Sequence, residues 1–148
     1  MKKLRKYKKQ MAHSYTLGPF PTFEALKKRP EMIERVVYSD IFHEKEKLIA
    51  LLEKFDIPYG EEPRTLERIS GQKNIYVAGV VQKKSYNLEK EKNHILLENI
   101  RDMGNLGNIC RSALAFNCKN IALIGHCCDY FHPKVIRASM GAFFQQNI

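Results

Sequence analysis

The stretch from 94 to 125, HILLENIRDMGNLGNICRSALAFNCKNIALIG, sets the tightest limit on what this chain folds into. Two short apolar runs, HILLEN and NIALIG, flank a segment whose apolar residues recur at helical spacing. Strand, crossover helix and strand make a βαβ unit, which requires parallel strands. HILLEN reads as a buried strand, since parallel sheets carry helices on both faces and further strands alongside. Only the segment from His126 to Ile148 follows, and in it Pro133 suits the first turn of another helix. The expected sheet is therefore incomplete, with an open edge and uncovered apolar surface.

The first half reads differently. TFEALKKRPEM is helical, with Thr22 as its N-cap and Glu24 placed one turn before Lys28. IERVVYS (33–39) is β-branched and strand-like, and HEKEKLIALLEKF (43–55) is an amphipathic helix with Leu48, Leu51, Leu52 and Phe55 on one face. A short extended piece and a small helix closed by Gly71 follow, then a strand in NIYVAGVVQ (74–82). Alternating helices and strands predict a small three-layer α/β domain. The polar, charge-dense QKKSYNLEKEKN (82–93) separates the two halves. The predicted organisation is a basic tail over 1–12, a substrate-binding domain over 13–82, a linker over 83–93 and a second domain from 94 to 148.

Helical spacing divides the segment from about 105 to 117 into two faces. Leu106, Ile109, Cys110, Ala113 and Phe116 fall on one, and Gly107, Asn108, Arg111, Ser112 and Ala115 on the other. The second face is small apart from Arg111. A guanidinium above a glycine surface lets a phosphate or ribose come close to the planar fork. A helix opened by Gly104 and capped by Asn105 would offer free N–H groups to an anion. The same residues also suit an ordinary turn with an exposed arginine. HPKVIRASMGAFF (132–144) gives a second candidate in Arg137, Ser139 and Gly141, or else a helix end packed closely through Ala138, Ser139 and Gly141.

A formal net charge of +9 favours a polyanionic partner, nucleic acid foremost. Lys2, Lys3, Arg5, Lys6, Lys8 and Lys9 crowd the first nine residues, either as a solvated tail or as an arm that orders on phosphates. No apolar run reaches the roughly 20 residues of a membrane-spanning helix, and no secretory signal opens the chain, so a cytoplasmic location is expected. Cys110, Cys118, Cys127 and Cys128 include no Cys-x-x-Cys pair and read as reduced, buried small hydrophobes rather than metal ligands.

Taken together, these stretches resemble the TrmH/SpoU family of RNA 2′-O-ribose methyltransferases, the knotted SPOUT class. NHILLENIRDMGNLGNICRSALAF is similar to the family's first motif, with Asn105, Gly107 and Arg111 at matching positions. NIALIGHCCDYFHPKVIRASMGAFFQQNI is similar to the segment that follows, including its Arg-x-Ser-x-Gly stretch. HSYTLGPFPTFEALKKRPEMIERVVYSD and ISGQKNIYVAGVVQ resemble the family's ribosomal-protein-like RNA-binding domain. The resemblance implies an incomplete parallel-sheet α/β-knot domain, S-adenosylmethionine as methyl donor, a tRNA or rRNA ribose as acceptor, a homodimer and no metal. It implies catalytic roles for Arg111, which would bind the backbone and help deprotonate or orient the hydroxyl, and for Asn105, which would order the site. Gly107, Arg137, Ser139, Lys2, Lys3, Arg5 and Lys6 would contact RNA. The family's Gly-x-Glu-x-x-Gly and Ser-Leu-Asn cofactor motifs do not occur here, so the expectation is a C-terminally truncated chain that is inactive alone. A catalytically inactive RNA-binding module is the alternative.

Overall fold

A computed structural model describes residues 3–148, which divide into two compact units, one ending at Lys83 and the other beginning at Lys84. The first unit holds β1 (His13–Leu17), α1 (Pro19–Lys28), β2 (Ile33–Tyr38), α2 (Lys45–Lys54), β3 (Tyr59–Glu61), α3 (Pro63–Ser70) and β4 (Val77–Gln82). Its sheet runs β1-β4-β2-β3, antiparallel except for the parallel β2–β3 pair.

Strand alternation assigns the helices to opposite faces. On one face Tyr15, Val37, Ala78 and Val80 form a buried cluster with Leu66 and Ile69 of α3. On the other, the Thr16 hydroxyl lies 2.8 Å from that of Thr22 in α1, and the Gly79 N–H donates to Thr16 Oγ1 at 2.7 Å. A Cβ at Gly79 would sit 2.9 Å from Thr16 Oγ1, so the bare backbone there lets α1 lie close on the sheet. With α2 packed on α1, the unit has three layers, as its sequence predicts. Two local readings are corrected. The first helix starts at Pro19, and Thr22 lies inside it, its hydroxyl donating back to the Gly18 carbonyl at 2.7 Å instead of capping. The strand β1 is an addition that the sequence reading did not contain. Gly71 does end α3, in the left-handed region at φ 67.

From Lys3 onward the basic segment is not a solvated tail. Leu4 is buried among Tyr15, Leu66 and Ile69, and Arg68 Nε donates to its carbonyl at 2.9 Å. Tyr15 Oη donates to the Arg5 carbonyl at 2.7 Å, and Lys83 Nζ to that of Lys9 at 2.8 Å. Residues 3–9 are therefore a strap laid on the sheet, pinned by one apolar anchor and three hydrogen bonds.

The second unit holds β5 (His94–Glu98), α4 (Met103–Ala115), β6 (Asn120–Ile124) and α5 (Pro133–Ala138), then a 3-10 turn over Ala142–Gln145. β5 and β6 pair in parallel, giving the expected βαβ unit, and Pro133 opens α5. The expected burial of HILLEN is corrected. Ile95 and Leu97, on one face of β5, are half-buried, and Leu96, on the other, is 62 % exposed. Residues 83–93 form no helix or strand, yet the Glu89 N–H donates to the buried Asn120 side chain at 3.0 Å. Beside β6 the chain returns in parallel, with the Ile121 N–H donating to Asn147 O at 3.0 Å.

Candidate nucleic-acid interface

The helix α4 begins differently from its sequence reading. Asp102 is the N-cap, and its Oδ1 accepts the Asn105 N–H at 2.7 Å. Asn105 is thus a capped residue rather than the cap, and the positive end of the helix already carries a carboxylate. The proposed open anion seat at this terminus is corrected accordingly.

Gly107 is also reassigned. It is buried, and a Cβ built on it would lie 2.5 Å from Ala138 Cβ and 2.9 Å from the Ala138 carbonyl carbon and the Ser139 nitrogen. The missing side chain lets α4 and α5 cross in near backbone contact; it does not make a flat platform for RNA. Ser139 is likewise withdrawn from solvent. Its hydroxyl donates to the Ile136 carbonyl at 2.8 Å and accepts the Phe143 N–H at 3.2 Å, so it fixes the turn after α5. Of the two readings of that stretch, close packing through Ala138 and Ser139 is the one realised.

Arg111 and Arg137 remain at the surface, and among the described residues neither side chain has a protein partner. Their placement follows from the crossing. Arg111 is one helical turn beyond Gly107, and Arg137 adjoins Ala138, so their Cα atoms lie within roughly 15 Å of each other. Two free guanidiniums thus flank one tight helix contact. The packing that carries them is apolar: Leu106, Cys110 and Ala113 are buried, Gln146 Nε2 donates to the Cys110 carbonyl at 2.8 Å, and Tyr130 stacks on Phe143 at 4.4 Å.

Asn105 does not share a face with Arg111. Six residues place them about 9 Å apart along the axis and about 120° around it. Asn105 instead lines an open depression of about 440 Å³ with Asn108, Ser112, Ile95, Ile109 and Phe116. Phe116, which follows the last residue of α4 and falls on its apolar side by spacing, is 86 % exposed.

The remaining calls fall elsewhere. Lys2 lies outside the described residues, while Lys3, Arg5 and Lys6 are exposed on the strap of the first unit. Burial pushes the Cys110 thiol up to about 12, and Cys118 is buried, but Cys127 and Cys128 are only half-buried. Among the described residues no three His, Cys, Asp or Glu side chains converge as metal ligands, and no helix is long and apolar enough to cross a membrane. Sequence reasoning missed Asp102, although an Asp three residues before Asn105 is a readable cap signal. It also missed Asn99, whose Oδ1 accepts the His126 N–H at 2.8 Å and ties together the carboxyl ends of β5 and β6.

Comparison with known proteins bears out the resemblance for this unit. Residues 92–148 match the SpoU rRNA Methylase family. Over 54 residues, 36% of this chain and 13% of the relative, the sequence is 49% identical to mouse rRNA methyltransferase 3, mitochondrial. The human protein of the same name is 46% identical over 54 residues, with the same coverage. The structure of an AdoMet-bound rRNA methyltransferase from Sinorhizobium meliloti superposes with a TM-score of 0.74 at 25% identity, covering 93% of this chain and 53% of that one. The chain spans about half the length of that structure, and the matched stretch is a small part of the mammalian relatives. The cytoplasmic expectation is corrected by these names: both mammalian relatives are mitochondrial proteins, and a missing secretory signal says nothing about import into an organelle.

Proposed function

We propose that this chain, whose residues 92–148 match the SpoU rRNA Methylase family, is the RNA-gripping part of an enzyme that methylates a ribose 2′-hydroxyl of ribosomal RNA. The observation that carries the reading is Arg111, exposed and unpaired among the described residues, on a helix locked in place through Gly107. A guanidinium stays charged at any physiological pH, so Arg111 is no general base. It binds the phosphate beside the target ribose and stabilises the alkoxide left when the 2′-hydroxyl gives its proton to water. Arg137 extends the same cationic face. Asn105, on a separate face, offers its amide to a nucleotide lying in the adjoining depression. A homodimer is part of the proposal and follows from the family resemblance alone.

S-adenosylmethionine, bound in the Sinorhizobium structure, would supply an electrophilic methyl group. The depression beside Asn105 does not fit it: the hollow is open, its walls are largely aliphatic, and no carboxylate lines it to meet the sulfonium or ammonium group.

The test is methyl transfer from labelled S-adenosylmethionine to ribosomal RNA by the complete protein, with the modified atom mapped by nuclease digestion. Arg111→Ala should lower kcat by about 10²-fold or more. A variant that methylates at the wild-type rate refutes the assignment. The second reading, an inactive RNA-binding module, is favoured by the fixed basic strap of the first unit, which needs no cofactor. RNA binding without methyl transfer at saturating cofactor would select it.

A further inference from the structure

We infer that the cleft between the strap and the sheet of the first unit is a seat for single-stranded RNA, separate from the Arg111 face; this rests on the RNA reading above. The cleft, of about 620 Å³, is bounded by Lys3 and Arg5 of the strap, by Gln10 just after it, and by His13 and Arg35 of the sheet. Its volume falls within the roughly 300–1,000 Å³ of sites that enclose small ligands. Met11 contributes accessible apolar surface, with the buried Leu4 and Val80 lying behind it. Cations on the rim and apolar surface inside match a strand whose phosphates lie on the rim and whose unstacked base turns inward. A stacked duplex presents no free base face to such a hollow.

The rim charges differ in availability. Arg35 is engaged with Glu62, which also accepts the Thr65 hydroxyl at 2.7 Å, so it shapes the wall. Among the described residues Glu34 is the one carboxylate lining the cleft. Lys3 and Arg5 are exposed. Their backbone is held by the buried Leu4 side chain and by the Tyr15–Arg5 hydrogen bond, and His13 Nε2 lies 3.0 Å from the same Tyr15 hydroxyl. Tyr15 thus joins the strap to the floor of the cleft through one oxygen.

The experiment is fluorescence anisotropy with the full chain, a labelled single-stranded RNA and a duplex of the same sequence, titrated across salt. Lys3→Ala/Arg5→Ala should weaken single-strand binding about tenfold at low salt and flatten the log–log salt slope by about 1.4, at roughly 0.7 per phosphate. Lys28→Ala/Lys54→Ala removes the same charge from α1 and α2 and should leave binding within about twofold. Circular dichroism reports that both variants are folded. A strap variant that binds like the control overturns the seat while leaving the RNA reading intact. A wild-type chain that binds no RNA overturns both. Preference for the duplex, or for phosphatidylserine-containing vesicles over RNA, also overturns it.

Discussion

Gly107→Ala tests the close crossing of α4 and α5. Carbon atoms in comfortable contact stand about 3.5–4.0 Å apart. The new methyl would stand 2.5 Å from Ala138 Cβ and 2.9 Å from backbone atoms of Ala138 and Ser139, so the helices must part by about 1 Å. Backbone atoms cannot turn aside as a flexible side chain would. Overpacking of this kind costs about 1–3 kcal/mol. Alanine in place of glycine within a helix returns up to about 1 kcal/mol. With two of the three contacts to backbone, the cost falls in the upper part of that range, about 2–3 kcal/mol, and the net expectation is destabilisation of the second unit by about 1–2 kcal/mol. For a unit of this size that lowers Tm by roughly 5–15 °C. The assay is thermal unfolding, with amide exchange to assign the loss to α4 and α5. Gly107→Ala/Ala138→Gly removes the shortest contact but not the two backbone ones, so it should recover only part of the loss. A Gly107→Ala protein as stable as wild type would refute the close approach and, with it, the placement of Arg111 beside Arg137.

Arg111→Ala itself should change stability by no more than about 0.5 kcal/mol, checked by the same melt, because its side chain is exposed and unpaired among the described residues. Cys110, with its thiol pushed up to about 12 by burial, should resist iodoacetamide near pH 8 while the half-buried Cys127 is alkylated, as read by peptide mass spectrometry. Equal labelling would contradict the burial. His132 caps α5, its Nδ1 accepting the Lys134 N–H at 3.1 Å, and burial lowers its pKa below the usual 6.5. Because the unfolded chain then binds a proton the folded one refuses, its contribution is full above pH 6.5 and is lost as pH falls through the folded value. His132→Asn, which keeps a capping side chain, should flatten the acid side of the stability profile.

Periodicity revealed the elements wherever neighbours in sequence decide the outcome. The strands at 33–38 and 120–124, the helix from Lys45 and the stop at Gly71 are readable because alternation, amphipathic spacing and a left-handed cap are local properties. What stayed hidden depends on distant partners. Gly107 and Arg111 share one face of α4, yet α5 covers the first and leaves the second bare, and nothing within 103–115 encodes that choice. Leu4 is a single apolar residue in a run of cations, and its burial requires Tyr15, Leu66 and Ile69 to meet far from it in sequence. Asp102 is legible as a cap, an acceptor side chain three residues before Asn105, because capping too is a local property.

The docking of Leu4 has a consequence for how this protein meets proteases. Trypsin must draw several residues of backbone into its cleft in extended form, and a run of lysines and arginines would ordinarily be its first target. Here the carbonyls of Leu4, Arg5 and Lys9 are held by Arg68, Tyr15 and Lys83, so cutting waits for the whole segment to peel from the sheet. The most basic part of the molecule should then be among the slower sites of digestion, and a ligand lying across it should slow cleavage further.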